Sequence, residues 1–370
     1  MNSLFQAVSV LTILAAFSVS LLAADSAKLI ETIQAVNKKG AGHAEAVKAV
    51  QQLQAMGAST AIPILKAMDN ANPLASNWLQ GAFESVADQA LRANELSAKD
   101  LEGFVLDRTH NGRARKLAFD WLTKVDKTAE ERMIPNMLDD PSSPLRREAV
   151  AQVIQTAEKA KSDDEKEFLY RKALTGAVDR DQVDKIASSL KKLGQTVDLV
   201  EQFGFLTAWH VIGPFDNTDM KAFNVAYPPE KEIDLKATYD GKAGKVEWKQ
   251  YLSDAKDGEF DLAELTEPHK GAIDYAITEF NSPSGQEVEF RLATANAWKL
   301  WVNGELVFAR EEYHRGMRFD QYIVRGSIKE GKNTFLLKVC QNEQDQDWAQ
   351  RWAFQFRIVD ESGRAVTQAE

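Results

Sequence analysis

KLWVNGELVFARE, residues 299–311, carries the dipeptide Asn303-Gly304 between two apolar runs. Both residues tolerate positive φ, so the pair is the strongest short signal for a two-residue β-hairpin. A half-buried hairpin keeps one apolar and one polar face. Strict alternation instead puts Leu300, Val302 and Val307 on one face, and Trp301, Leu306 and Phe308 on the other. A strand in a two-sheet sandwich needs only one face in the core between the sheets, so the second has to be covered or used. It is expected to lie beneath the segment 215–270 or beneath the N-terminal half of the chain, joining the two halves as one rigid body.

The runs around the hairpin follow the same period of two. Val288, Phe290 and Leu292 share a face, as do Phe335, Leu337 and Val339, and as do Trp352, Phe354, Phe356 and Ile358. Turn signals separate them at Pro283-Ser284-Gly285, Asn303-Gly304 and Glu330-Gly331. Short alternating runs punctuated in this way predict an antiparallel β-sandwich. Trp209, Trp248, Trp298, Trp301, Trp348 and Trp352 all fall here, and large rings fill the gap between two sheets efficiently.

Upstream of about Gly204 the period changes. AKLIETIQAVNKK, AEAVKAVQQLQAM, NPLASNWLQGAFESVADQALRA, RARKLAFDWLTKV and PLRREAVAQVIQTAEKA carry apolar residues at three- and four-residue spacing, one stripe per helix. Helices this short are marginal alone in water and have to stack. Two segments look like helix-pair repeats, AIPILKAMDNANPLASNWLQGAFESVA and MIPNMLDDPSSPLRREAVAQVI. Each has Ile-Pro early, then an Asp/Asn-Pro turn, then an amphipathic helix.

Of the 370 residues, 55 are Asp or Glu and 45 Lys or Arg, a net charge of -10 that argues against nucleic acid as a partner. Residues 1–24 contain no charged side chain and end in small residues, which reads as a secretory signal peptide cut near Leu22-Ala23-Ala24. An uncleaved anchor is the alternative; cleavage leaves no transmembrane span. The n-region lacks Lys and Arg, a departure from the usual leader. Cys340 is the only cysteine, so the chain makes no internal disulfide. That fits an exported protein of periplasmic or extracellular location that relies on its cores.

Two resemblances follow from these residues. Ile134-Pro135, Asp139-Asp140-Pro141, Arg146 and Ala149-Val150 resemble the HEAT-repeat pattern, and the likeness extends over roughly 45–175. It implies an α-solenoid in which the Asp and Arg tie adjacent repeats together. AWKLWVNGELVF followed by SIKEGKNTFLLKV resembles the galactose-binding-like jelly-roll domains of secreted glycosidases and exported bacterial proteins. Trp301, Asn303, Gly304, Gly331, Asn333 and Val339 carry that likeness, with Phe335 where the family usually has Leu. FLTAWHVIGPFDN (205–217) resembles the opening of such modules in planctomycete-type bacteria. The implied order is a signal peptide (1–24), a HEAT-like helical domain (25–203), a galactose-binding-like β-sandwich (204–362) and a disordered tail (363–370). In this superfamily the motifs build scaffold, so they do not name a ligand.

The chemistry-bearing patterns are sparse. His43, His110, His210, His269 and His314 include no i, i+4 pair, and there is no H-E-x-x-H or Cys/His cluster, so no zinc or other cofactor is expected. Asp345 and Asp347 offer carboxylates for a structural calcium ion, but no D-x-D-x-D-G loop supports one. No G-x-S-x-G elbow is present, and Cys340 reads as structural and partly exposed beside Lys338. GKAGK (241–245) lacks P-loop spacing. Glu311, Glu312 and Asp320 are the carboxylates an accessory glycoside hydrolase would need as an acid–base pair.

A sugar site places an aromatic ring under the sugar with hydrogen-bonding groups around it. EEYHRGMRFDQ (311–321) supplies Tyr313, His314, Arg318 and Asp320, and QNEQDQDWAQRW (341–352) supplies Trp348. Both loops are expected at one rim. Packing of Trp348 beneath its own loop is slightly preferred over a sugar platform. The leading expectation is an exported, non-enzymatic binding or scaffold protein. Its helical repeats would meet protein, and its jelly roll carbohydrate or protein. A polysaccharide-processing enzyme and a purely structural envelope component are the alternatives.

Overall fold

The computed structural model describes residues 25–267 and 269–369. The expected leader, residues 1–24, lies outside the described residues. The chain divides into two compact units, one ending at Ala177 and the other running from Val178 to Glu370. The order is α, then β.

The first unit is helical. Residues 25–34 form α1, followed by α2 (His43–Met56), α3 (Ala61–Ala67), α4 (Pro73–Arg92), α5 (Ala98–Leu106), α6 (Gly112–Val125), α7 (Ala129–Met133), α8 (Ser143–Lys159) and α9 (Asp163–Leu174). Side-chain caps set several starts. Asn72 accepts from the amides of Leu74 and Ala75, with Pro73 at the first helical position. Ser97 caps α5, Asn111 caps α6 and Ser162 caps α9 in the same manner. Neighbouring helices pack as α3 on α4, α5 on α6 and α8 on α9. One apolar core runs through them from Ile30 to Ala149.

Buried Asp140 sits where the sequence places a repeat-tying acid. Its carboxylate receives the Arg115 guanidinium in a two-pronged contact of 2.6 and 2.8 Å, and its backbone carbonyl accepts from Arg146 at 2.7 Å. The turn after α7 is thereby tied to both α6 and α8.

The second unit begins with α10 (Arg180–Lys192) and α11 (Leu199–Phe203), then strands β1 (Ala208–Asp216), β2 (Thr238–Asp240), β3 (Lys245–Glu247), β4 (Lys249–Leu252), β5 (Phe260–Asp261), β6 (Ala272–Ser282), β7 (Gln286–Thr294), β8 (Ala297–Val302), β9 (Glu305–Arg310), β10 (Tyr322–Ile328), β11 (Gly331–Gln341) and β12 (Ala353–Val359). The helices α10 and α11 were expected with the helical half, yet they group with the strands. Arg180 stands over the rings of Phe203 and Phe319, and Arg357 of β12 donates to the Phe203 carbonyl.

Two antiparallel sheets dominate, ordered β4-β1-β6-β11-β8-β9 and β10-β7-β12-β5. Their facing sides share one core that draws Trp209, Phe280, Trp298, Leu300, Phe335 and Leu337 from the larger sheet, and Val288, Phe290, Phe354, Phe356 and Ile358 from the smaller. The period-two groups read in the sequence all lie in this core. Residues 363–369, expected as a disordered tail, are tied to β12 and then to β6 instead. Val366 bonds to the Ile358 carbonyl at 3.0 Å, and Ala369 to that of Asn281 at 2.8 Å.

The hairpin departs from strict alternation. Asn303 and Gly304 both have positive φ, 52° and 86°, as a two-residue hairpin turn requires. Leu300 pairs with Phe308, but Trp301 pairs with Leu306, so Val307 is an extra residue in a bulge. The slip returns Phe308 to the face of Leu300, where its ring stacks on Trp298 at 4.7 Å. Leu306 and Val307 are exposed. Trp301 faces the other way and is 9% exposed. It belongs to a second core with Ile212, Phe215, Tyr275, Leu336 and Cys340, roofed by Ala222, Phe223, Val246 and Trp248. Of the three residues expected on the covered face, Trp301 alone lies beneath the 215–270 segment, Leu306 stays exposed and Phe308 joins the first core; Cys340 is buried rather than partly exposed.

The roof is pinned by Lys338. Its fully buried ammonium donates to the carbonyls of Ala222, Phe223 and Val225 and to Glu230 Oε1, at 2.7 to 3.1 Å. Tyr275 donates its hydroxyl to the same Glu230 oxygen. A buried cation is tolerable when paired and saturated with acceptors in this way.

Candidate functional site at the rim of the sandwich

The C-terminal ends of β1 and β11 and the N-terminal ends of β6 and β8 define one rim. Buried amides stiffen it. Asn217 donates from Nδ2 to the Gln341 carbonyl at 3.0 Å and to the Tyr313 hydroxyl at 3.2 Å. Gln341 in turn accepts from Asn296 Nδ2 and from the Asn342 amide, and donates to the carbonyl of Ala349. Satisfied networks of this kind hold loops in one conformation.

On this base the two polar–aromatic loops meet. His314 Nε2 lies 2.8 Å from Asn342 Oδ1, which also accepts from the Gln344 amide. That second bond identifies Oδ1 as the acceptor, so Nε2 carries the proton. The His314 ring stands edge-on to Trp348, centroids 5.1 Å apart at 85°. Trp348 is 63% exposed. It therefore does not pack under its own loop; the surrounding rim holds it up. Lys270 bonds the Ala349 carbonyl at 2.9 Å just behind it, and burial holds this ammonium below the usual lysine range.

The remaining candidate residues are elsewhere or otherwise engaged. Tyr313 is half-buried against the second core, and burial pushes its phenol up. Arg318 is exposed, and its backbone amide bonds Gln321 at 3.4 Å. Asp320 turns to the outer side of the smaller sheet, where it accepts from Arg291 Nη1 at 2.6 Å and Arg357 Nε at 2.8 Å. Glu312 is held by Arg310 at 2.8 Å and by Arg315, which keeps its carboxyl below the usual range. Glu312 thus lacks the raised proton affinity of a general acid. Among the described residues no three His, Cys, Asp or Glu side chains converge to hold a metal ion, and no helix is long and apolar enough to cross a membrane. The groups the sequence reading did not single out are Asn342, Gln344 and Lys270. For Asn342 and Gln344 the only signal was the amide-rich composition of the 341–352 loop, and Lys270 had none.

No protein-family model matches the chain, and no curated protein matches it. Among solved structures, a glucose complex of a β-glucosidase from Kluyveromyces marxianus is similar over 46% of this chain and 22% of its own, at 12% identity and a TM-score of 0.29. The α-xylosidase Xac1773 from Xanthomonas citri is similar over 42% and 18%, at 12% identity and 0.21. A selenomethionine form of the Kluyveromyces enzyme is similar over 80% and 37%, at 9% identity and 0.26. The matched part thus spans well under half of those longer chains, and likeness at this level carries no functional argument.

Proposed function

We propose that this is an exported, non-enzymatic glycan-binding protein. Its first unit is a HEAT-like α-solenoid that meets protein partners, and its second a galactose-binding-like jelly roll that holds sugar at the rim. The observation that carries the sugar reading is Trp348, a large ring left open to solvent on a stiffened rim, beside His314 and Asn342. An exposed indole offers an apolar platform to the C–H face of a pyranose, and the amide-rich loop offers donors and acceptors to its hydroxyls. For the first unit, support comes from the Arg115–Asp140–Arg146 connection, which links successive helices as the repeat resemblance implies.

The test is a glycan array probed with the full chain and with Trp348→Ala. Loss of a ring contact of this type weakens binding by roughly tenfold or more. An array without a single bound glycan, or binding that Trp348→Ala leaves intact, overturns the rim assignment.

A further inference from the structure

A cleft of about 520 Å³ opens beside β1 and β4, walled on one side by the β2–β3 hairpin, and Trp348 is not among its lining residues. That volume lies within the range of small-molecule sites. The wall is fixed in place, because the Lys242 amide bonds the Pro214 carbonyl at 2.7 Å and the Gly241 amide bonds the Gly244 carbonyl at 2.7 Å.

Two of the lining residues, Gly213 and Thr266, abut the same buried group. Asp274 of β6 is completely buried, and Thr266 Oγ1 lies 2.6 Å from its Oδ2. Its other oxygen, Oδ1, has no hydrogen-bond partner. A Cβ on residue 213 would fall 1.8 Å from that oxygen, so only glycine fits there. Burial pushes the Asp274 carboxyl well up. The Thr266 hydroxyl donates to its Oδ2, which orients Thr266 and leaves the lone pairs of Oγ1 as an acceptor on the cleft wall.

The cleft is also balanced in charge. Lys245 and Lys249 are offset by Glu247 and Glu267 among its lining residues. A strongly charged ligand finds no net attraction there. A ligand rich in hydroxyls finds carboxylates and the Thr266 oxygen to accept its hydrogens, ammonium groups to donate, and the rings of Tyr251 and Pro214 for its C–H surface.

We infer that this cleft is a second ligand site, separate from the rim, for a neutral saccharide, with Thr266 Oγ1 accepting from a sugar hydroxyl and Asp274 holding Thr266 in position. The inference stands on residues the rim does not use. It is tested by calorimetry and saturation-transfer NMR on the full chain with lactose, cellobiose, maltose and xylobiose, with glucuronic acid as the charged comparison. At least one neutral disaccharide is expected to bind, with Thr266→Val weakening it roughly tenfold, the worth of one good hydrogen bond. In a Trp348→Ala background, which removes the rim platform, the neutral disaccharide should still bind and Thr266→Val should still weaken it, so failure here and failure at the rim are distinguishable. Should Thr266→Val prove misfolded by circular dichroism, Tyr251→Ala serves as the second variant with the same expected loss. Three results overturn the inference: no neutral disaccharide binding, preference for glucuronic acid, or binding that responds to Trp348→Ala but to neither cleft variant.

Discussion

Asn303 and Asn333 hydrogen-bond to each other, Nδ2 to Oδ1 at 2.9 Å, and so join the hairpin turn to the start of β11. Asn333 is fully buried, and every hydrogen-bonding site of its amide is used. Oδ1 accepts from Asn303 and from the Lys329 amide, while Nδ2 donates to the carbonyls of Lys329 and Gly331. Removing the side chain leaves several of these groups buried without partners. Asn333→Ala is expected to cost about 3 kcal/mol in urea denaturation. Asn333→Asp, although the same shape, should cost at least as much, because it turns two donors into lone pairs facing carbonyl oxygens. A small effect from the Asp variant would show that this amide is not the fastener of the two motifs.

Asp320 is predicted to matter for stability and not for sugar. It is the shared partner of Arg291 and Arg357, and the Arg357 guanidinium lies near the rings of Phe203 and Phe319. Burial already holds Arg357 below the usual arginine range, so removing its counter-charge strands a buried cation. Asp320→Asn should lower the unfolding free energy by about 3 kcal/mol. Glycan binding by the folded fraction should not change. Weakened glycan binding at unchanged stability would return Asp320 to the site.

These two residues mark the limit of what the sequence discloses. Asn303-Gly304 and the alternating runs declare strands and core because hairpin turns and period-two burial are local. The bulge at Val307 is not local: alternation alone places Phe308 on the wrong face, and only pairing with β8 reveals the slip. Cys340 looks half-exposed beside a lysine until the 212–248 segment folds over both. The rim loops are legible as polar and aromatic, but whether Trp348 lies down or stands up depends on Asn217, Gln341 and Asn342, brought together from opposite ends of the unit. Asp320 reads as a ligand residue because its arginines sit on β7 and β12, far along the chain. The cleft left no motif, since a threonine, a glycine and one buried acid form no pattern in sequence.

The Cys340 thiol is pushed up to about 12, chiefly by burial, so it should stay unreactive toward a disulfide reagent at pH 8 until the protein is unfolded. The sign of its linkage is fixed. A thiol whose folded value lies above its unfolded value, about 8.5, binds more protons when folded. Its contribution to stability is complete below the unfolded value and is lost as pH rises through about 12. Denaturation curves should therefore shift downward between about pH 8.5 and 12 in the wild type, and less steeply in Cys340→Ala. Rapid labelling of the native thiol would contradict the covered second core.

Lys338 is the last and most demanding case. Its ammonium fastens three carbonyls of the 222–225 segment and the Glu230 carboxylate over the outer face of the larger sheet. Lys338→Met fills much of the same volume but supplies no donor. It leaves three carbonyls short of a partner and Glu230 a carboxylate with only Tyr275 to hold it. The expected cost is about 4 kcal/mol, as for breaking one side of a buried ion pair. Adding Glu230→Gln removes the stranded charge and should recover about 1 kcal/mol or more, the coupling that a double-mutant cycle isolates. Because the donor holds the roof and not the sandwich core, hydrogen exchange should quicken at 217–233 while amides of β6 and β11 keep their protection. If exchange quickened equally in both places, Lys338 would be a fastener of the whole unit rather than of its roof.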